Sequence, residues 1–190
     1  MRPPEDVSTD QEEPTGTDLG DFPEEFDTPD QQSGPGTPTA EGEASEVYTA
    51  IIDSVAGVQV RTPRGLAGGT AWVYDDSYLV TNEHVVGGTT DQYVRFVDVG
   101  WREASVIGTD VYSDLAVIEV EGKPDRATAL PVVDESKAVG TPVAAVGNPF
   151  NLTGSFTTGV ISGTNRQLPA ANGFSISDAI QTDAAVNPGN

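Results

Sequence analysis

The sequence has 190 residues, a net charge of −21, one histidine and no cysteine. These properties exclude a disulfide framework, a thiolate nucleophile and a metal site built from several histidines, and nothing in the sequence indicates a cofactor. The negative charge argues against nucleic acid as a partner. The sequence contains no run of about 18 apolar residues, so no membrane span is predicted.

The first part of the chain is predicted to be a disordered acidic segment, over residues 1–44. Residues 1–46 hold 14 of the 30 acidic residues and a single basic residue, Arg2. With so few apolar side chains, this segment cannot bury enough surface to offset the entropy of ordering it. The start also lacks an apolar signal core, so we expect either no export through this end or a leader that has been lost. Residues 45–56 then show helical spacing of apolar side chains and predict a short helix.

From Gly57 onward, short apolar runs alternate with turn residues. This pattern is typical of an all-β sandwich or barrel. A connection over residues 121–140 divides the runs into two groups, so we expect two units, at 45–125 (including the helix) and 126–190. The predicted strands are 58–60, 70–74, 78–81, 93–99, 102–107, 115–120, 142–146, 154–162 and 177–182.

Two residues stand out as candidates for chemistry. His84 follows an apolar run that ends at Thr81, and an imidazole is suited to general-base work near neutral pH. Asp114 comes directly before the apolar run 115–120, where a buried carboxylate is costly unless it is paired. Pairing with the only histidine would satisfy the carboxylate. Taken singly, the histidine would be interpreted as structural or merely exposed, and the aspartate as a turn or cap residue.

The end of the chain, residues 187–190, reads Asn-Pro-Gly-Asn. Glycine and asparagine allow a tight, irregular turn whose backbone amides can point into a site. The alternative is a plain surface loop.

Taken together, these segments resemble the HtrA (Deg) type of serine protease. Thr-Asn-Glu-His-Val-Val resembles the histidine motif of that family, and Ser-Asp-Leu-Ala-Val-Ile resembles its aspartate motif. Ala-Val-Gly-Asn-Pro-Phe with Thr-Gly-Val-Ile-Ser resembles the start of its second barrel. Asp-Ala-Ala-Val-Asn-Pro-Gly-Asn resembles the segment that leads into its serine, and Gly-Gly-Thr-Ala-Trp-Val the strand before its histidine. The histidine motif occupies residues 81–86 and the aspartate motif residues 113–118. The start of the second barrel corresponds to residues 145–150 and 158–162. The segment that leads into the serine is 183–190, the strand before the histidine is 68–73, and the whole resemblance covers residues 47–190.

The resemblance implies a chymotrypsin-like double β-barrel whose second barrel is incomplete. It assigns catalytic roles to His84 and Asp114 and an oxyanion-hole amide to Gly189. The nucleophilic serine would follow Asn190, so the chain is expected to be truncated just before it and inactive by itself.

The resemblance also implies the biological setting. We expect a serine endopeptidase that degrades unfolded or damaged polypeptides, as a homotrimer, in the cell envelope or outside the cell. The loop at residues 187–189 is expected to switch between active and inactive shapes. Residues 167–174 resemble a sensor loop, although a flexible hairpin tip explains them equally well. Asn151 fits a glycosylation sequon, a pattern that is common by chance.

Two other functions remain open at this stage. A protease-like chaperone or peptide-binding module would have a residue other than serine at position 191. A purely structural acidic β-domain would keep His84 and Asp114 far apart.

The charge of the expected folded region generates a first prediction. Residues 47–190 hold 16 acidic and 8 basic residues, a net of −8, and only two of the bases are lysines. If this composition is an adaptation to high salt, screening of repulsion between carboxylates will raise stability from low to multimolar KCl. Thermal unfolding midpoints measure this. No gain with salt would favour an ordinary acidic domain that carries an acidic tail.

Overall fold

The computed structural model describes residues 40–133, 137–148, 154–169, 173–187 and 189. The disorder predicted for residues 1–39 and the sequon at Asn151 therefore concern residues outside the described part. A helix, α1, is followed by one 3-10 turn, six strands with a short helix α2 among them, and three further strands. The bounds are α1 Ala40–Ile51, the turn Ile52–Ser54, β1 Val55–Thr62, β2 Gly65–Val73, β3 Tyr78–Thr81, α2 Glu83–Val86, β4 Gln92–Phe96, β5 Arg102–Asp110, β6 Leu115–Val120, β7 Pro142–Gly147, β8 Ser155–Pro169 and β9 Ser175–Thr182.

The first six strands form a closed antiparallel barrel in the order β1-β2-β3-β6-β5-β4. The barrel closes because β1 pairs with both β2 and β4, so that Val58 lies opposite Gly69 on one side and Val94 on the other. Alternate residues of the strands point inward and fill the interior, as the period of two of a β-strand requires. The core contains Ala56, Val58, Val60, Ala71, Val73, Leu79, Val86, Val94, Phe96, Ala104, Ala116, Ile118, Val120 and Ala127.

The last three strands form an antiparallel sheet in the order β7-β8-β9. Strand β8 serves both neighbours. Its first residues pair with β7, and from Ile161 onward it pairs with β9 through several register shifts. One closed barrel with a partial second sheet confirms the predicted all-β fold, a double barrel with an incomplete second member.

Several boundaries differ from those predicted. The helix begins at Ala40 rather than at residue 45, so residues 40–44 are helical and not disordered. It ends at Ile51 rather than at residue 56. After the turn Ile52–Ser54 the chain enters β1, where Val55 and Ala56 are buried as strand residues. Strand β8 continues to Pro169, beyond the predicted end at residue 162. Its pairing with β9 shifts register several times after Ile161, and Asn165 adopts a φ of 53° between two of the paired stretches.

The boundary predicted at residue 125 falls inside a segment that packs on the first barrel. Ala127 is fully buried in the barrel core. The Thr128 amide donates to the Ser54 hydroxyl at 3.0 Å, and the Leu130 amide donates to the Val73 carbonyl at 2.9 Å. This segment belongs to the first unit, and the second sheet begins only at Pro142.

Within the described ranges, no helix is long and apolar enough to cross a bilayer. The same residues contain no cluster of three or more His, Asp or Glu side chains arranged to hold a metal ion.

Two leucines test whether the barrel core supplies the stability. Leu79 is fully buried, whereas Leu66 on the neighbouring strand is 56% exposed. Replacing Leu79 with alanine leaves a cavity, and we expect a loss of about 2–5 kcal/mol in the free energy of unfolding. The matched change Leu66→Ala should stay within about 0.5 kcal/mol of the original. Urea denaturation measures both. Equal losses would contradict the assignment of the core.

Candidate active site

His84 is presented by the short helix α2 at the edge of the first barrel. Strand β3 ends at Thr81, whose hydroxyl donates to the Thr70 carbonyl on β2 at 2.7 Å. Helix α2 can lie close to β2 because Gly69 has no side chain; a Cβ atom there would lie 2.7 Å from Cγ2 of Val85. The imidazole is therefore held at a fixed place while its side chain remains 58% exposed.

Asp114 ends the turn between β5 and β6. Asp110 organises this turn, since its carboxylate accepts hydrogen bonds from the Tyr112 amide at 2.9 Å and the Ser113 hydroxyl at 2.6 Å. Asp114 has a φ of 56°, in the left-handed region that aspartate tolerates better than most residues with a Cβ atom. The turn delivers the carboxylate into the protein, where only 13% of the side chain is exposed.

The structure brings His84 and Asp114 into a two-point contact. Nδ1 of His84 lies 2.7 Å from Oδ2 of Asp114, and the backbone N–H of His84 donates to Oδ1 at 2.9 Å. An ionised carboxylate can only accept, so Nδ1 must carry the proton of this bond. In the neutral ring, Nε2 is then left as a proton acceptor. A purely structural acidic β-domain was expected to keep these two side chains far apart, and the structure contradicts that expectation.

Asn82 completes the environment of the carboxylate. Its Nδ2 donates to Oδ2 of Asp114 at 3.2 Å and to the Asp114 carbonyl at 3.1 Å. The Glu83 amide donates to the same carbonyl at 3.2 Å. Asn82 occupies the N-cap position of α2 but makes no side-chain cap bond, because its amide is turned toward Asp114.

The pKa of Asp114 reflects a balance that favours the charged form. Burial raises the pKa of the carboxyl. The hydrogen bonds from the backbone and ring of His84, the charge of His84 and the hydrogen bond from Asn82 outweigh burial and leave the pKa below its ordinary value of 3.8. Asp114 is therefore ionised at neutral pH and holds the ring of His84 in one orientation.

Gly189 lies at the end of the segment that follows β9. Its φ of 100° is a conformation that favours glycine. Its carbonyl accepts a hydrogen bond from the Thr70 hydroxyl at 2.6 Å. The neighbouring Pro188 and Asn190 lie outside the described residues, so the predicted switch at 187–189 is described only at Asn187 and Gly189.

The predicted sensor loop is described in part. Residues 167–169 belong to β8, and residues 170–172 lie outside the described ranges. The ring of Phe174 lies 4.6 Å from the ring of Tyr112, on the turn that ends at Asp114. The described end of this loop therefore contacts the turn that carries the candidate carboxylate.

Sequence reasoning missed three residues that organise the site: Thr70, Asn82 and Asp110. An aspartate followed two and three residues later by turn partners is a recognisable Asx-turn signal, so Asp110 could have been found. From the sequence alone, Asn82 could be predicted only as a helix cap and Thr70 only as a strand residue.

The two aspartates near the site test this electrostatic account against each other. The pKa of Asp110 is also lowered, first by the Ser113 hydroxyl and then by the Tyr112 amide. We expect Asn82→Ala to raise the pKa of Asp114 but not that of Asp110. We expect Ser113→Ala to raise the pKa of Asp110 but not that of Asp114. Carboxyl ¹³C titration by NMR measures both.

The same titration has a consequence for stability. A pKa lowered in the folded state gives stability that is complete above pH 3.8 and is lost as the pH falls through the folded-state value. The acid unfolding of the original chain should show this loss, and Asn82→Ala should reduce the contribution of Asp114. Movement of both pKa values in both variants would instead indicate a general disturbance of the turn.

The chain is similar to known proteins in both sequence and fold. Residues 69–190 match the family model of the trypsin-like peptidase domain. The chain is 41% identical over 133 residues to Protease Do-like 1, chloroplastic, of Arabidopsis thaliana, covering 69% of this chain and 30% of that protein. It is 42% identical over 122 residues to a probable periplasmic serine endoprotease DegP-like of Hahella chejuensis, covering 62% of this chain and 24% of that protein.

A solved structure shows the same relation. The HtrA-type protease AlgW with tripeptide is 30% identical, with a TM-score of 0.69, over 77% of this chain and 48% of that one. The chain thus spans about a third or less of the curated relatives named above and about half of this structure. From its family match, its relatives and its fold, the chain belongs to the trypsin-like peptidase family and, within it, to the HtrA/Deg-type serine proteases.

Proposed function

We propose that His84, Asp114 and Gly189 are three parts of a serine endopeptidase site. The observation that carries this proposal is the 2.7 Å contact between Nδ1 of His84 and Oδ2 of Asp114, with the imidazole 58% exposed. A buried, ionised carboxylate on one ring nitrogen and an accessible second nitrogen are what a general base for a hydroxyl nucleophile requires.

The proposed reaction follows from these atoms. A serine directly after Asn190 attacks the carbonyl carbon of the scissile peptide bond while Nε2 of His84 removes its proton. The ring then donates that proton to the leaving amine, and an ester to the serine remains until water hydrolyses it. Asp114 keeps Nδ1 protonated and stabilises the imidazolium that forms at each step.

Gly189 is proposed to stabilise the oxyanion. Its backbone N–H, together with that of the serine, donates to the oxygen that becomes negatively charged as the carbonyl carbon is attacked. Removing one such donor typically costs about 10²–10³-fold in rate. The φ of 100° makes glycine the favoured residue here.

The substrates, assembly and location are proposed from membership of the HtrA/Deg-type family. We infer that the whole protein cleaves unfolded or damaged polypeptides as part of protein quality control, as a homotrimer. An extracytoplasmic place agrees with relatives named periplasmic and chloroplastic.

The natural protein that contains this chain is the material for the test. A fluorophosphonate probe should label a serine at position 191, as identified by mass spectrometry. Asp114→Asn should lower kcat on an unfolded protein substrate by about 10⁴-fold, because the ring loses the partner that fixes its tautomer. His84→Ala should abolish probe labelling. Asp91→Asn, which alters a surface pair with Arg61 at 3.5 Å, is the control and should leave kcat unchanged.

Two results would overturn the proposal. A residue other than serine at position 191, with the fold intact, would favour the protease-like chaperone or binding module. Cleavage that persists unchanged in His84→Ala would show that the site lies elsewhere.

A further inference from the structure

Thr70 lies where three parts of the candidate site meet. It is a partly buried residue of β2, next to Gly69, the residue against which helix α2 packs. Its carbonyl accepts the hydrogen bond from the Thr81 hydroxyl at 2.7 Å. Thr81 is the last residue of β3 and comes three residues before His84. The backbone of Thr70 is thus tied to the element that presents the imidazole.

The side chain of Thr70 faces the other half of the site. Its hydroxyl oxygen accepts a hydrogen bond from the backbone N–H of Asn148, just after β7, at 2.8 Å. The same hydroxyl donates to the Gly189 carbonyl at 2.6 Å. A hydroxyl has one proton to donate. Because the Asn148 amide supplies its own proton, the hydroxyl proton is committed to Gly189.

The segment that leads to Gly189 is anchored at its other end on β8. The carboxylate of Asp183 accepts from the Val160 amide at 2.7 Å, and the Thr157 hydroxyl donates to the Ala185 carbonyl at 2.8 Å. Gly159 allows this close approach, since a Cβ atom there would lie 2.4 Å from the Ala184 nitrogen. Ala184 is buried, whereas the chain is exposed over residues 185–187, with Val186 at 59%. The Thr70 bond therefore fixes the far end of a span that starts at Ala185.

We propose that Thr70 is a positioning residue that sets the direction of the Gly189 N–H relative to the His84–Asp114 pair. The proposal rests on the function proposed above. The Gly189 carbonyl lies in the planar peptide unit that follows the glycine, whereas its N–H lies in the unit that precedes it, so the φ and ψ of Gly189 relate the two. Glycine restricts these angles less than any other residue. The hydroxyl of Thr70 holds the following unit, and the bonds of Asp183 and Ala185 anchor the segment that leads to the preceding one. Held from both sides, the chain restrains the φ and ψ that glycine itself leaves free, and Thr70 does so from a strand that also fixes His84.

The first test uses the 190-residue chain and does not depend on catalysis. Thr70→Val keeps the branched shape of the side chain but removes the hydroxyl, whereas Thr70→Ser keeps the hydroxyl. We expect the residual dipolar coupling of the Gly189 N–H, which reports the direction of that bond, to change in the valine variant and to return to its original value in the serine variant. Thr62→Val is the matched control, because it removes a similar bond from a hydroxyl to the Gly65 carbonyl, 2.8 Å long, at the other end of β2. An unchanged Gly189 coupling in a folded Thr70→Val variant would overturn the proposal.

The second test uses the natural protein that contains the chain. Thr70→Val should lower kcat by about 10²-fold, the effect of one misplaced oxyanion donor, with little change in KM. Thr70→Ser should restore kcat, and Thr62→Val should not alter it. A purely structural role would be seen as a fall in unfolding temperature with kcat retained in the remaining folded protein, and this result would contradict the proposal.

The two proposals fail in different ways. If no variant cleaves substrate but Thr70→Val still changes the direction of the Gly189 N–H, the proteolytic function fails and the positioning of Gly189 by Thr70 stands. If the valine variant does not fold, the unmodified chain is measured instead. The Thr70 hydroxyl proton should then give a slowly exchanging NMR signal with a nuclear Overhauser effect to the Gly189 α-protons. Absence of that signal would overturn the proposal.

Discussion

The hydrogen bonding of the Asp114 carboxylate is the interaction on which the rest of the candidate site depends. Burial alone would favour its neutral form, and a neutral carboxyl would not fix the tautomer of His84. The His84 amide, the His84 ring and the Asn82 side chain keep it charged. These donors are in place because the β5–β6 turn and helix α2 lie on a closed barrel, whose rigid core leaves the turn little freedom to move.

A second constraint joins the two sheets. The first barrel is complete and carries both side chains of the pair, whereas Gly189 follows the partial sheet β7-β8-β9. A site built from both needs a defined distance across the junction, and the Thr70 hydroxyl bonds to Asn148 and Gly189 at that junction. Gly69 and Thr70 are consecutive residues of β2, so one strand accommodates the helix of His84 and holds the carbonyl of Gly189.

The sequence was sufficient to predict the elements whose signal is local. Strands β3 and β6 were predicted at their observed bounds because apolar runs there end at turn residues. Helix α1 was predicted at the right length but five residues too late, because Val55 has helical spacing and yet is buried in a barrel strand. Asp114 could be singled out because it precedes an apolar strand. Thr70 and Asn82 could not, since their roles come from partners 119 and 32 residues away, which only the fold brings near.

The tautomer of His84 tests the central claim most directly. In the proposed site, Nδ1 of His84 is protonated and bonded to Asp114, while Nε2 is free to accept a proton. We propose to record ¹⁵N spectra of the side chain of this single histidine in the 190-residue chain, above the pH at which the ring is charged. A protonated Nδ1 with a strongly deshielded proton, and an unprotonated Nε2, is the predicted result. A ring protonated at Nε2, or one that exchanges freely between both forms, would contradict the account.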